Sequence, residues 1–230
     1  MASTANARPR DGGRLATWLG WLELAAVIAL VVADLHGLVP LSKVPFLLAL
    51  GWVSLRLRGR GWKSVGFAWP RSRQRAIAIG IAAGVALELL AVFVTEPLLA
   101  ALTGSYPTLA DFRPLVGNPA LLLAALALNW TLAAFGEELA FRGYLMSRIA
   151  GLGGGTRGAW IASLLFASAI FGWGHVNQGL TGMLQEGLAG LALGLLYLGS
   201  GRLLAVPIIA HGVSNTLALV LIYFGRYPGM

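Results

Sequence analysis

Seven runs of apolar residues, most of them close to the length of a bilayer crossing, follow one another between residues 15 and 224. A helix needs roughly 20 mostly apolar residues to cross a hydrocarbon core. The runs 15–33, 76–102, 119–147, 180–199 and 203–224 approach or exceed that length, while 44–57 and 159–174 are shorter. They are long and continuous and lack the alternation of an outer-membrane barrel strand, so helices are expected throughout. The expected fold is all-α, a polytopic transmembrane helix bundle of about seven to eight spans. An eighth span would come from a break in the third or fourth run. The third carries Glu88, Glu96 and Pro97 and is expected to end early and dip along the interface.

Composition excludes a soluble alternative. Only 11% of the residues are charged, against about 25% in a soluble domain, and the mean hydropathy is +0.76. Cysteine is absent, which rules out disulfides, thiolate zinc sites and thiol nucleophiles. Residues 1–14 read as a polar, basic cytoplasmic tail. The apolar run after it is broken by Glu23 and has no small-residue cleavage site, so 15–33 is expected to be a retained first span.

With the N-terminus in the cytoplasm, 14 of the 17 basic residues fall on the cytoplasmic side, Arg142 and Arg148 among them. Lys43, Arg113 and Arg226 are left outside. That bias follows the positive-inside rule and assigns the net charge of +8 to topology and lipid headgroups; no nucleic-acid surface is expected. The basic stretch 56–75 is read as a cytoplasmic loop with Trp62 and Trp69 as interfacial anchors. Gly153–Gly155 is read as a flexible connector.

Against this apolar background a few ionisable residues stand out. No charge occurs in 119–135, and then come Glu137, Glu138 and Arg142. A carboxylate inside a bilayer costs a few kcal/mol, so such a residue is a functional candidate. On an α-helix Glu138 and Arg142 share a face and can pair. Glu137 is rotated by about 100° and is the freer carboxylate, available as a base. Both glutamates could instead simply neutralise Arg142 and Arg148.

Two of the three histidines lie in apolar surroundings. His175 follows Phe171-Gly172-Trp173-Gly174, and His211 lies one helical turn before Asn215. The His211–Asn215 pair suits donation to an oxyanion, and equally a metal ligand with its neighbour. Carboxylate, imidazoles and amide together are a set for hydrolysis by activated water. The parts of rhomboid, His-Glu-x-x-His and Gly-x-Gly-Asp intramembrane proteases are missing.

Glu137-Glu138-x-x-x-Arg142, Phe171-x-x-x-His175 and His211-x-x-x-Asn215, in that order and each on its own span, resemble the motifs of the CAAX-processing and bacteriocin-processing (CPBP or Abi) family. Its eukaryotic members include the Ras-converting endoprotease. The resemblance covers about 118–225, a catalytic membrane core, and leaves 15–117 as a transmembrane scaffold. It implies a glutamate-type intramembrane endopeptidase, and the cleavage is expected near the cytosolic membrane face. Glu137 would activate water held by His175, and His211 and Asn215 would stabilise the oxyanion. Glu138, Arg142 and Phe171 would shape the site, with Trp173, Gln185 and Glu186 candidates for the cavity wall. No cofactor is expected; if the enzyme is metal-dependent, Glu137, His175 and His211 would hold zinc. The expected substrate is a peptide or lipidated peptide, CAAX-like or otherwise membrane-associated, and the expected location is a bacterial plasma membrane. The alternatives are a catalytically silent scaffold or bacteriocin-immunity protein of the same fold, and a proton-coupled transporter. One strain remains: His175 falls near the outer end of its span and Glu137 on the inner half of another. For the two to meet, the fourth helix must reach about residue 147 or the fifth must start deeper.

Overall fold

The structure, a computed structural model, describes residues 11–230; Arg8 and Arg10 of the expected basic tail lie outside the described residues. Seven helices organise these residues: α1 (Asp11–Leu35), α2 (Val44–Leu57), α3 (Arg73–Thr103), α4 (Pro119–Leu152), α5 (Arg157–Trp173), α6 (Val176–Gly199) and α7 (Ala205–Tyr223). The fold is an all-α membrane bundle. Five of the helices are long and apolar enough to cross a membrane, and α2 and α5 are shorter.

Local chemistry sets the boundaries. The side chains of Ser72, Asn118 and Thr156 accept hydrogen bonds from the amides of Arg75, Leu121 and Ala159, which caps α3, α4 and α5. Such caps satisfy amides that have no partner within the helix. Pro119 opens α4, where a missing amide proton costs nothing. α3 ends at Gly104 in the left-handed region, and Gly154 and Gly155, both at positive φ, turn the chain between α4 and α5.

The third run does not end early. Helix α3 continues through Pro97 to Thr103 because Ala91–Thr95 adopts a π-helical turn just before the proline. A widened turn absorbs the lost amide donor that would otherwise break the helix. The centre of α4 is also π-helical, over Asn129–Met146, a form that is rare and recurs at functional sites.

Packing is inverted relative to a soluble protein. Large apolar side chains such as Phe93, Leu98 and Leu123 face outward, while Glu138 and Arg142 are fully buried. The main core joins α1, α2, α4 and α5 through Val27, Leu47, Phe141, Tyr144, Leu164 and Phe171. α3 lies against α7 along Gly80 and Gly84; a Cβ on Gly84 would sit 2.5 Å from the Ala210 carbonyl oxygen. Small residues at this spacing allow close approach of membrane helices, and the next residue on that face is Glu88.

The two ends of the bundle differ in charge. The loops 58–72, 153–156 and 200–204 meet at one end, where the Leu204 amide donates to the Gly66 carbonyl and Arg60, Lys63, Arg148 and Arg202 line one hollow. The loops 36–43, 104–118 and 174–178 and the C-terminal residues meet at the other, where the Thr108 amide donates to the Gln178 carbonyl and the Gly117 amide to Tyr223. Trp69 is exposed at the basic end, whereas Trp62 is half-buried and wedges against Gly51, so only one of the two tryptophans is free to anchor an interface. Arg142 is not at the basic end either: it lies in the core.

Candidate active site

Helix α4 runs on to Leu152, beyond the length that a meeting of Glu137 and His175 requires. Both residues, with His211 and Asn215, line a single cavity of about 420 Å³ between α4, α5, α6 and α7. The four residues expected to act on substrate are therefore together.

The adjacent glutamates face different surroundings. Glu138 has no exposed surface. Its Oε1 accepts from Arg142 Nη1 at 2.7 Å and lies 2.9 Å from His211 Nδ1. Arg142 is fixed in turn: Nη2 donates to the Gly190 carbonyl at 3.0 Å, and the guanidinium lies 4.6 Å from the centre of the Phe171 ring. Glycine at 190 leaves room for this contact, since a Cβ there would sit 3.4 Å from Nη2 and 3.3 Å from Phe171. Glu137 is half-buried, lines the cavity, and has no hydrogen bond or ion pair among the described residues. The pairing of Glu138 with Arg142 and the freedom of Glu137 match what helical spacing predicts, although the helix is π rather than α here.

The histidines are oriented by their Nδ1 atoms. His175 Nδ1 lies 2.8 Å from the Phe171 carbonyl, an acceptor, so this nitrogen carries the proton. Its Nε2 is then free to bond water. His211 Nδ1 lies against the Glu138 oxygen that also accepts from Arg142, so Nδ1 is the donor and Nε2 is the atom left for the cavity. Phe171 packs between the two rings, with centroids 4.9 Å from His175 and 6.2 Å from His211.

Glu186 and Gln185 line the cavity as expected. Trp173 does not: it packs against the hydrophobic core, because two residues beyond Phe171 on a helix is nearly the opposite face. Sequence reasoning did not single out Asn129. It lines the cavity and donates from Nδ2 to the Gly212 carbonyl at 3.0 Å, tying α4 to α7 one residue beyond His211. An isolated asparagine in an otherwise apolar run was the available signal. Among the described residues no three His, Asp or Glu side chains are arranged to hold a metal ion. Glu137, His175 and His211, the set named for zinc, do not form such a group.

The family model described as type II CAAX prenyl endopeptidase Rce1-like matches residues 119–217. This stretch of the chain is similar to the Rce1-like CAAX endopeptidase family. The matched stretch begins at Pro119, the first residue of α4, and ends two residues beyond Asn215, so it includes every residue of the three motifs. No curated protein and no solved structure matches the chain. With its apolar helices the chain is an integral membrane protein, and its stretch 119–217 is similar to a family described as CAAX prenyl endopeptidases.

The walls of the cavity include Ser42, Pro107, Phe112, Gln178 and Tyr227, all from the end opposite the basic loops, and no residue of those loops.

Proposed function

We propose that the chain is an intramembrane endopeptidase that hydrolyses a peptide bond by glutamate-activated water, without a metal. Glu137 takes a proton from a water held by the free Nε2 of His175, and the hydroxide adds to the scissile carbonyl carbon. The oxyanion that forms accepts hydrogen bonds from His211 and from the Asn215 amide, and Glu138 stabilises the positive charge His211 carries when it donates from Nε2. Collapse of the tetrahedral adduct breaks the C–N bond, and Glu137 returns its proton to the leaving amine. The observation that supports this division of labour is the contrast between the two glutamates: Glu138 is committed to Arg142 and His211, while Glu137 lines the cavity unpaired.

By the positive-inside rule the end bearing Arg56, Arg58, Arg60, Lys63, Arg71, Arg73 and Arg75 is cytoplasmic, and the cavity then opens to the opposite face. The substrate class on this reading is a membrane-associated peptide reached from the non-cytoplasmic side; a prenylated CAAX end is one candidate within the family's range. A transporter would need polar walls continuing to the basic end, and no residue of the basic loops contributes to this cavity.

The test is cleavage of quenched fluorescent peptides, prenylated and plain, by purified protein in detergent. Wild type and Glu137→Ala are compared with and without a strong chelator. Activity that survives the chelator and is lost in Glu137→Ala is the expected result. Loss with chelator refutes the metal-free mechanism, and activity retained by Glu137→Ala refutes the role of that glutamate.

A further inference from the structure

Beside His211 and Asn215 the cavity continues into a smaller recess of about 130 Å³ between α3, α6 and α7. Its polar wall is acidic: Glu88 and Glu96 come from α3 and Glu186 from α6. Glu88 and Glu96 are eight residues apart and so share one face of α3, the face that Gly80 and Gly84 bring against α7. Among the described residues no lysine or arginine lines either the recess or the main cavity. The one buried arginine nearby, Arg142, is already bound to Glu138 and the Gly190 carbonyl.

A second observation points to a missing partner. Glu88 and Glu96 are 5% and 3% exposed. One oxygen of each is satisfied, by Ser214 Oγ at 2.8 Å and Tyr227 Oη at 2.7 Å. The other oxygen of each, Glu88 Oε1 and Glu96 Oε2, is buried without any partner. Buried acceptors are normally satisfied, and an exception calls for a ligand or a function. Two orphaned carboxylate oxygens in an acidic recess call for a donor that is also positively charged. A metal ion is a poor match, since these carboxylates are not arranged as a ligand set. A lysine ammonium brings three donors and an arginine guanidinium five.

We propose that Glu88, Glu96 and Glu186 form a subsite for a basic side chain of the peptide being cut, close to the scissile bond. The inference rests on the endopeptidase reading above. Phe171, His211 and Asn215 line both the recess and the main cavity. A peptide whose carbonyl lies against His211 and Asn215 therefore has a neighbouring side chain at the mouth of the recess. The subsite selects for charge: the lysine side chain supplies the donors that the two orphaned oxygens lack, while an uncharged side chain of equal length leaves them unpaired.

The experiment uses quenched peptides that carry either lysine or Nε-acetyl-lysine at each position around the cleaved bond. They are assayed with wild type, Glu88→Gln and Glu96→Gln, and binding of the same peptides to Glu137→Ala is followed by fluorescence anisotropy. At one position the wild type should prefer lysine by on the order of ten- to a hundredfold in kcat/KM, the range of a charge-assisted hydrogen bond. That ratio should fall toward one in both glutamine variants. Equal cleavage of the lysine and acetyl-lysine peptides at every position overturns the proposal and leaves the protease reading intact. If no peptide is cut, the protease reading fails on its own and anisotropy decides the subsite: tighter binding of the lysine peptides supports it, and equal binding overturns it. The comparison of peptides on wild type does not depend on either variant folding.

Discussion

The buried pair of Glu138 and Arg142 gives the sharpest quantitative test of how the site is held. The two side chains are 0% and 2% exposed and 2.7 Å apart. An exposed ion pair contributes about 0–1 kcal/mol, but here neither charge can turn to water when the other is removed. Arg142→Leu therefore leaves Glu138 as an uncompensated buried carboxylate with only His211 beside it, and frees the Gly190 carbonyl as well. The expected cost is about 3–5 kcal/mol, the range for breaking a buried pair. At about 2–4 °C per kcal/mol for a chain of this size, the unfolding midpoint should drop by roughly 10 °C. Glu138→Leu should cost a similar amount by stranding Arg142. The double variant removes both charges at once and replaces them with apolar volume, which is often close to neutral, so it should be at least as stable as either single variant. The assay is thermal unfolding of the four proteins in one detergent, read by circular dichroism. A double variant whose loss equals the sum of the single losses would refute the reasoning, because it would mean that the two charges do not compensate each other.

Two further outcomes follow from the geometry. Gly84→Ala should destabilise the bundle by about 1–3 kcal/mol, since its Cβ would lie 2.5 Å from the Ala210 carbonyl; Gly151→Ala, with nothing within 4 Å, should leave the unfolding midpoint unchanged or slightly raised. The chain has no cysteine, so single cysteines report topology cleanly: in intact right-side-out cells a membrane-impermeant maleimide should label Thr108→Cys and not Ser64→Cys, and the reverse pattern would invert the proposed orientation.

The parts of the site that were legible in the sequence are those whose signal is energetic and local. Glu137, Glu138, Arg142, His175, His211 and Asn215 stand out because polar groups are costly where every neighbour is apolar. The pairing of Glu138 with Arg142 follows from their four-residue spacing, and survives even though the backbone there is π-helical. Contacts that depend on which helices meet were not legible. Nothing in the chain order says that His211 reaches Glu138, that Gly190 presents its carbonyl to Arg142, or that Tyr227 donates to Glu96. Pro97 misled for a related reason. Its local rule is to break a helix, and a π turn five residues long just before it removes the conflict. Trp173, expected at the cavity wall, packs instead against the core.

The two proposals about access and charge are linked by a single asymmetry. Basic residues gather at one end of the bundle, and four glutamates (Glu88, Glu96, Glu137 and Glu186) line a cavity and recess that open toward the other. If the basic end faces a negative interior, a lysine entering the recess from outside moves part of the way down the membrane potential. A full crossing is worth about 2.3 kcal/mol per charge at 100 mV, and a site part-way across gains a fraction of that. Inverting the protein would reverse the sign of this contribution while leaving every contact in the recess unchanged. Charge selection measured in detergent therefore reports the glutamates alone. Selection measured in vesicles with an imposed potential reports the glutamates together with the orientation. A lysine preference that strengthens when the lumen facing the basic loops is made negative is what this arrangement requires.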